Sequence, residues 1–308
     1  MTDLYAAVID YLAFRRALGF KLDRAEQPLN SFVGFLAAEH ADRITIDLAL
    51  RWATLPVDAD PWWWSNRLGV VRGFARYVHT IDPAHDVPPA GLICAPPPRA
   101  TPYMFTEDNI TALMVAARCL EPVLRGRTYT TLIGMLAVTG MRVSEALNLD
   151  DNDVDLAHGS ITIRATKFDK TRANPIHRST VEALDRYRRD RCRSQTAPTT
   201  ASFFVSTVGT RLCYSNVLGV FHQLIDEVGL QERRGGQRPR MHDLRHRFAV
   251  QSILDAYAAG VDVGPRFAAL STYLGHGRPA DTYWYLSATP ELLGRAAELL
   301  DNTSGARS

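Results

Sequence analysis

Apolar residues in the first 82 positions recur at intervals of three and four, with polar residues between them. This spacing is typical of amphipathic helices, whereas the alternation of a half-buried strand does not stand out in this part of the sequence. Pro61 suits the first turn of a helix, because the N–H that proline lacks has no partner there. The pattern predicts helices at 4–18, 28–38, 46–54 and 61–78, and residues 1–82 are predicted to form one helical domain.

Proline is concentrated in a short segment after this domain. Between positions 82 and 102 it occurs seven times, a composition that favours an extended and semi-rigid chain. We therefore predict a linker at 83–104 and a second domain at 105–308.

The second domain is predicted to be mainly helical with one small antiparallel sheet. Residues 160–166 alternate as a strand, 168–171 have turn composition and 172–176 return as a second strand, which together predict a hairpin. A further short strand is predicted at 202–206. Helical spacing predicts the other elements, at 106–120, 125–138, 142–147, 179–192, 215–228, 265–273, 290–300 and a helix that begins near 242. The predicted fold class is thus mostly α, of the α+β type.

Composition narrows the classes of protein. A chain of 308 residues is long enough for two domains with separate cores, and its formal net charge of +2 is weak evidence about partners. No apolar run reaches the length of a transmembrane helix, and the first residues include Asp3, Asp10 and Arg15 instead of a signal-peptide core. The four cysteines are far apart, which argues against a zinc module or a disulfide framework. We therefore expect a cytoplasmic protein without a metal, a cofactor or a membrane partner.

Residue types suited to phosphate chemistry lie in five places along the second domain. They are TGMRVSE at 139–145, Lys167 in the predicted turn, HDLR at 242–245, LGH at 274–276 and Tyr285. A phosphodiester is anionic and its alkoxide leaves poorly, so cleavage without metal requires cations at the phosphate and a proton for the leaving oxygen. Arg142 and Arg245 are suited to the first task, because a guanidinium binds phosphate oxygens in a bidentate way.

Lysine is scarce in this chain, and its positions are informative. Among 35 Lys and Arg only Lys21, Lys167 and Lys170 are lysines, and two of them lie in one predicted turn. A lysine amine can release a proton near neutral pH, whereas an arginine cannot. We infer that this turn requires an amine at Lys167, and we interpret Lys170 as a solvated turn residue.

The motifs, from about Phe105 to the C-terminus and in this order, resemble those of the tyrosine recombinases, the phage-integrase type of site-specific DNA recombinase. The resemblance implies a helical core-binding domain followed by a catalytic domain, which agrees with the apolar pattern. It also implies that Tyr285 attacks the scissile phosphate to form a 3′-phosphotyrosyl bond, which stores the energy of the broken linkage. Tyr283 and Tyr273 are the alternative nucleophiles, but the family's spacing from the preceding histidine selects Tyr285.

The same resemblance implies roles for the other motif residues. Lys167 acts as general acid on the leaving 5′ oxygen, and His242 assists proton movement at the tyrosine or the phosphate. His276 donates a hydrogen bond to a non-bridging phosphate oxygen. Glu145 orients the catalytic residues without itself contacting the phosphate. With the two motif arginines and the tyrosine, the lysine and the two histidines form the predicted catalytic set.

Basic and aromatic residues outside the motifs are candidates for contact with DNA. Arg72 and Arg76 lie four residues apart on one predicted helix, which suits phosphate contact, although a solvated helix face explains them nearly as well. Trp62–Trp64 either stack on bases or pack at the helix start, and we favour packing. A basic cluster is predicted to track phosphates, with a solvated loop as the alternative, and it consists of Arg233, Arg234, Arg238, Arg240 and Arg247.

The resemblance implies duplex DNA with specific recombination sites as the partner, bound by a homotetramer, and a nucleoid-associated location. The predicted helix at 290–300 either folds back on its own chain or docks on a neighbouring protomer, as is common in the family. The segment 281–293 resembles that of transposon-associated integrases, which suggests integration, excision or transposition. Two alternatives remain, which are a type IB topoisomerase-like enzyme that relaxes supercoils and a non-catalytic DNA-binding protein on the same scaffold.

Overall fold

The computed structural model describes residues 3–20, 22, 24–95, 102–164, 171–194, 199–230 and 238–275. The chain divides into two compact units, Met1–Arg99 and Ala100–Ser308, and each unit has its own hydrophobic core. The division falls within the predicted linker, of which 96–101 lie outside the described residues. Within the described ranges, none of the helices combines the length and the apolar character that a membrane crossing requires.

The first unit is helical throughout its described part, as the apolar spacing predicted. Its helices are α1 Leu4–Ala17, α2 Glu26–Ala38, α3 Ile46–Thr54 and α4 Pro61–Ile81. Asp3, Thr45 and Asp60 precede α1, α3 and α4, and the side chain of each accepts a hydrogen bond from a free N–H of the first turn. The apolar faces meet around Phe32 and Trp52, whose ring centroids lie 5.3 Å apart. Burial of these faces, more than the propensity of any one helix, stabilises the unit.

The residues directly after α4 are attached to the first unit. Arg72 donates from Nε and Nη2 to the carbonyls of Pro88 and Pro89, at 2.8 and 2.9 Å. His85 is buried, and its Nδ1 accepts a hydrogen bond from the N–H of Ile44 at 3.0 Å. This part of the predicted linker therefore has fixed partners on the helical unit.

The second unit is mainly helical and its described part contains a three-stranded antiparallel sheet, which confirms the predicted fold class. The strands are β1 Val154–Asp155, β2 Ser160–Ile163 and β3 Arg172–Pro175, and the helices are α5 Glu107–Arg118, α6 Val123–Thr139, α7 Val143–Leu147, α8 Arg178–Ser194, α9 Tyr214–Val228, α10 Met241–Ala258 and α11 Val263–Leu274. The sheet has the order β1-β2-β3, and Ile163 pairs with Arg172. The two predicted strands of the hairpin are therefore paired, and the residues between them from 165 to 170 lie outside the described residues.

One predicted strand differs from the structure. The stretch 202–206 takes part in isolated β-bridges instead of a regular ladder. Successive residues of a regular strand point to opposite faces, but Phe203 and Phe204 are both fully buried. Their ring centroids lie 5.0 Å apart, so packing of both rings into the core overrides the strand pattern.

Helix α6 runs through the core of the second unit and contacts α5, α8 and α10. It ends at Gly140, which has a φ of 60° in the left-handed region. A Cβ atom there would lie 2.5 Å from Cδ1 of Phe248, so glycine satisfies both the backbone angle and the neighbouring ring. This end of α6 positions the TGMRVSE motif.

Candidate active site

Arg142 lies between α6 and α7 and directly precedes the first turn of α7. Its N–H donates to Oε2 of Glu145 at 3.0 Å, and its Nη1 donates to Oε1 of the same carboxylate at 2.7 Å. The Glu145 side chain is 8% exposed, whereas the Arg142 side chain is 38% exposed. The carboxylate therefore binds Arg142 from the buried side, and more than a third of the Arg142 side chain stays exposed.

Arg172, the first residue of β3, places a second guanidinium on the same carboxylate. It donates from Nη1 to Oε1 of Glu145 at 3.2 Å and from Nη2 to Oε2 at 2.8 Å. Burial alone would raise the pKa of Glu145, but hydrogen bonds from Arg172 and Arg142 outweigh it, and the pKa lies below its ordinary value. The strand pattern predicted Arg172 as a sheet residue without a role. Its one signal in the sequence is its position directly after the turn that carries Lys167.

The end of α11 contacts the same arginine. Nε of Arg172 and Nδ2 of Asn174 both donate to the carbonyl of Tyr273, at 3.1 and 3.0 Å. Helix α11 ends at Gly275, which has a φ of 69°, and a Cβ atom there would lie 2.5 Å from Nη1 of Arg172. The LGH motif thus needs glycine both for the left-handed turn and for the space that the guanidinium occupies.

Arg245 forms a second connection between the TGMRVSE and LGH motifs. It lies on α10 and is 1% exposed. Its Nη1 donates to the carbonyl of Gly140 at 2.7 Å, and its Nη2 donates to the carbonyl of Leu274 at 2.8 Å. Because these carbonyls lie at the ends of α6 and α11, the positive charge also complements the negative ends of two helices.

His242, in the first turn of α10, is solvent-exposed, yet the surrounding protein lowers its pKa. Partial desolvation is the largest cause, and the positive charges of Arg245 and Arg240 act in the same direction, while Asp243 opposes them. Asp243 is buried and accepts hydrogen bonds from the N–H of Arg240 at 2.9 Å and from its Nη2 at 3.0 Å. His242 is therefore neutral at neutral pH and able to accept a proton.

Tyr273, one of the alternative nucleophiles, is held by packing. Its Oη donates to the carbonyl of Pro175 at 3.3 Å, and its ring stacks on Phe248 at 5.8 Å between centroids. Burial raises the pKa of its phenol, which makes the reactive phenolate harder to form. These contacts favour a structural role for Tyr273.

The structure brings the described motif residues to one place. Arg245 binds the carbonyls of Gly140, which lies two residues before Arg142, and of Leu274 in the LGH motif. The charges of Arg245 and Arg142 both act on His242. The two guanidinium groups can bind an anionic phosphate. The neutral imidazole beside them can accept a proton next to that phosphate. In the part of the chain that the structure describes, no group of His, Cys, Asp and Glu is arranged to hold a metal ion.

The chain matches a known protein family. The model of the phage integrase family matches residues 104–291. The chain is a tyrosine recombinase of this family. This recombinase is 41% identical to the putative integrase/recombinase y4rB of Sinorhizobium fredii, over 98% of each chain. It is 30% identical to the tyrosine recombinase XerD of Mycobacterium tuberculosis, over 74% of this chain and 70% of XerD.

A solved structure shows the same fold. The integrase of transposon Tn1549 in complex with transposon right end DNA aligns with a TM-score of 0.65 and 15% identity, covering 97% of this recombinase and 99% of that chain. At that identity the likeness concerns the fold alone. Family membership confirms the activity that the motifs predicted, which is the breaking and rejoining of DNA strands at specific sites.

Several predicted site residues of this recombinase lie outside the described residues. They are Lys167, His276 and Tyr285 of the catalytic set and Arg233 and Arg234 of the basic cluster. The structure nevertheless describes chain segments close in sequence to two of them, Lys167 and His276. Arg172 begins the strand that follows the lysine turn, and Gly275 directly precedes the histidine of the LGH motif. Both segments meet at the guanidinium of Arg172.

The described arginines predicted to contact DNA differ in how they are held. Arg72 binds the two proline carbonyls after α4, and Arg76 on the same helix is exposed. Arg247 donates from Nε to the carbonyl of Phe105 at 2.9 Å. Ion pairs join Arg247 to Glu107, Arg238 to Asp226 and Arg240 to Asp243. These intramolecular partners explain their positions, and their contact with DNA stays a prediction.

Two of the three consecutive tryptophans are placed by neighbouring groups. Trp64 donates from Nε1 to the carbonyl of Pro56 at 2.8 Å. Trp63 is 42% exposed, and the guanidinium of Arg67 lies 4.7 Å from its ring centroid and 3.7 Å from that of Trp52. The favoured packing interpretation fits Trp64, and Trp63 lies against Arg67, while base stacking by Trp63 stays the alternative.

Proposed function

We propose that Tyr285 cleaves DNA by attacking a phosphate that Arg142 and Arg245 bind. The convergence of three motifs at one place carries this proposal. Arg245 connects carbonyls at the ends of α6 and α11, at 2.7 and 2.8 Å, and Arg142 follows the first of these ends by two residues. A phosphate bound here meets guanidinium groups from two elements, an arrangement that stabilises the charge of the transition state.

The reaction exchanges one phosphate ester for another. The phenol oxygen of Tyr285 forms a bond to phosphorus as the bond to the 5′ oxygen breaks, which leaves a 3′-phosphotyrosyl linkage and a free 5′ hydroxyl. The neutral imidazole of His242 accepts or relays the phenol proton, and Lys167 gives a proton to the leaving oxygen. His276 donates a hydrogen bond to a non-bridging oxygen. Attack by a 5′ hydroxyl of a second duplex reverses these steps and rejoins strands without ATP.

The burial of Arg245 adds a requirement to this mechanism. In this conformation its guanidinium is closed to solvent and holds two carbonyls. Contact between Arg245 and a phosphate therefore requires a rearrangement of the residues around it when DNA binds. Arg142 is already accessible, so we expect DNA to meet Arg142 first.

We further propose that a homotetramer acts on two duplex sites, in the cytoplasm and on the nucleoid. The helix predicted at 290–300, outside the described residues, is proposed to dock on a neighbouring protomer. The putative integrase/recombinase relative, 41% identical over 98% of each chain, supports a role in integration, excision or transposition. Mass photometry with paired duplex sites tests the assembly: four protomers on two duplexes are expected, and one protomer on one duplex contradicts it.

The nucleophile is tested with nicked suicide substrates made from DNA that flanks the gene. Denaturing gels separate a covalent protein–DNA adduct from free DNA. We expect an adduct with the wild type and with the control Tyr283→Phe, and none with Tyr285→Phe. Sequencing of the trapped ends then gives the cleavage position. An adduct that persists in Tyr285→Phe contradicts the assignment, and binding on native gels without any adduct indicates a protein that only binds DNA.

A further inference from the structure

We propose that Arg172 is a positioning residue for strand cleavage, which holds Arg142 in its phosphate-binding orientation through the carboxylate of Glu145. The role rests on the proposed function, because it takes Arg142 as a ligand of the phosphate. The Arg172 side chain is 14% exposed. It is therefore placed to act through its neighbours and not by touching DNA.

The geometry of the Arg172 guanidinium is specific to arginine. Nη1 and Nη2 meet the two oxygens of Glu145 at 3.2 and 2.8 Å, a two-point geometry that a lysine amine cannot reproduce. With both oxygens held, the carboxylate is fixed in rotation. It then presents Oε1 to Nη1 of Arg142 at 2.7 Å and Oε2 to the N–H of Arg142 at 3.0 Å. Arg172 thus determines where Glu145 holds the side chain of Arg142.

The charge of the cluster gives a second reason. Arg142 and Glu145 alone form a neutral pair, which attracts an anion weakly. With Arg172 the cluster contains two cations and one buried anion, and its accessible end is the guanidinium of Arg142. Salt screens such partly buried charges less than exposed ones, so the net positive charge acts on a phosphate bound there. Loss of Arg172 therefore removes charge as well as geometry.

Arg172 also ties the cluster to the LGH motif. Its Nε donates to the carbonyl of Tyr273 at 3.1 Å, and Gly275 leaves the space that the guanidinium fills. Asn174 donates to the same carbonyl from the same strand at 3.0 Å. Asn174→Ala therefore weakens the connection to α11 and leaves the pair of Arg172 and Glu145 in place. This variant separates the effect of the contact with α11 from the effect of the Arg172–Glu145 pair.

The test compares cleavage of a charged and an uncharged phosphate. Nicked suicide substrates carry either an ordinary phosphodiester or a methylphosphonate at the mapped cleavage position, and adduct formation is measured under single-turnover conditions. A methylphosphonate has no negative charge, so its cleavage depends little on a cation at the phosphate. Misplacement of Arg142 therefore slows the charged substrate selectively, whereas a smaller folded fraction lowers both rates equally.

We expect Arg172→Gln to lower the rate on the phosphodiester by about 10- to 100-fold, the range typical of residues that orient a reacting group, and to affect the methylphosphonate far less. Arg172→Lys keeps the charge and loses the two-point contact, so its rate should lie between Arg172→Gln and wild type. Combined with Arg142→Ala, Arg172→Gln should add less loss than it causes alone, because the orientation of Arg142 no longer matters and only the charge of Arg172 remains to be lost.

Arg188→Gln is the matched control. Arg188 also binds a carboxylate and main-chain carbonyls in the second unit, but its partners are Asp151 and Val154. Its substitution should leave the rates on both substrates unchanged. Circular dichroism and thermal unfolding establish that each variant is folded, and Arg172→Lys supplies the comparison if Arg172→Gln does not fold.

The outcomes separate this inference from the proposed function. A wild-type rate in Arg172→Gln overturns the positioning role, as do equal losses on both substrates or losses that add to those of Arg142→Ala. In each of these cases the wild type still forms its adduct, so the proposed function stands. If the wild type forms no adduct, the proposed function fails and the positioning role fails with it. The variant that combines Arg142→Ala with Arg172→Gln tests the positioning role with the phosphodiester substrate alone, without the methylphosphonate.

Discussion

Two arginines of the first unit and two of the second unit show different uses of the same side chain. In the first unit, Arg67 and Arg72 donate to main-chain carbonyls, and they connect α4 to α3 and to the segment after α4, respectively. In the second unit, Arg142 and Arg172 share the carboxylate of Glu145, and one of the two guanidinium groups stays accessible. Arg67 and Arg72 end on backbone carbonyls and serve the fold of their unit, whereas Arg142 is backed by a carboxylate and a second cation and keeps an exposed side chain. Arg245 also ends on carbonyls, so its proposed contact with a phosphate requires the rearrangement described above.

The surroundings of Arg67 show how far an arginine can be absorbed into a fold. Its guanidinium lies 3.7 Å from the ring centroid of the buried Trp52, and Nη2 donates to the carbonyl of that residue at 2.9 Å. Burial lowers the pKa of Arg67. Arg67 therefore packs between two tryptophan rings, although the composition of this helix alone resembles a surface that binds nucleic acid.

The largest difference between the two units is expected for Arg142→Ala. Loss of the accessible cation should lower the single-turnover rate of adduct formation by roughly 10²–10³-fold, because the transition state loses a charge that stabilises it. Arg72→Gln in the first unit should leave this rate unchanged at saturating DNA. Equal losses in the two variants would erase the distinction between the two kinds of arginine.

The carboxylate beneath Arg142 should also affect stability. Glu145→Gln is expected to cost about 1–3 kcal/mol at pH 7, because a buried network loses the charged acceptor that two arginines share. The folded-state pKa of Glu145 is lowered, so its carboxylate stabilises the fold above its ordinary pKa of about 4.5, and this contribution is lost as the pH falls through the folded-state pKa. Urea unfolding should show the full difference at pH 7 and a shrinking difference below about pH 4.5. A difference that is the same at pH 7 and pH 3 contradicts this prediction.

A smaller contrast is expected within α4. Arg72→Gln should lower stability by about 1 kcal/mol, because the two hydrogen bonds to proline carbonyls are partly buried. Arg76→Gln should leave the unfolding midpoint unchanged and, as a phosphate contact, should lower the slope of log Kd against log salt by about 1. Gel shifts at several salt concentrations measure the slope. An unchanged slope in Arg76→Gln contradicts its predicted contact with DNA.

The smallest effect is expected on the pH dependence of cleavage. The pKa of His242 lies below its ordinary value of about 6.5, so most of the imidazole is neutral at pH 6.5. The acid limb of the pH–rate profile should therefore lie below pH 6.5. Arg240 is one of the charges that lower this pKa. Arg240→Gln should therefore move the acid limb to higher pH, and Asp243→Asn should move it to lower pH. Shifts in the same direction would show that another group sets the limb.

Local patterns predicted most of the fold. The helices of the first unit followed from apolar spacing, and the pair of strands β2 and β3 followed from alternation, because both signals depend on neighbouring residues. The predicted strand at 202–206 was wrong, because Phe203 and Phe204 both enter the core. That outcome depends on the shape of the core and not on the local pattern.

Part of the candidate site could likewise be predicted from local sequence, and part of it could not. Arg142, His242 and Arg245 stand out as members of short motifs, and the order of the motifs predicted the family. Arg172 has no motif of its own. Its partners Glu145 and Tyr273 lie 27 and 101 residues away along the chain, so no local signal connects them.

The sequence by itself determined the family, the class of reaction and the helical character of both units, since short motifs and apolar periodicity are local properties of the chain. Only the tertiary structure decided which arginines end on backbone carbonyls and which one shares a buried carboxylate while its side chain stays exposed. Arg72 and Arg142 have the same side chain, and they differ in whether it ends on backbone carbonyls or on a buried carboxylate that a second arginine also holds. Hydrogen bonds and charges act over a few ångströms of space, and residues that meet at that distance can lie anywhere along the chain.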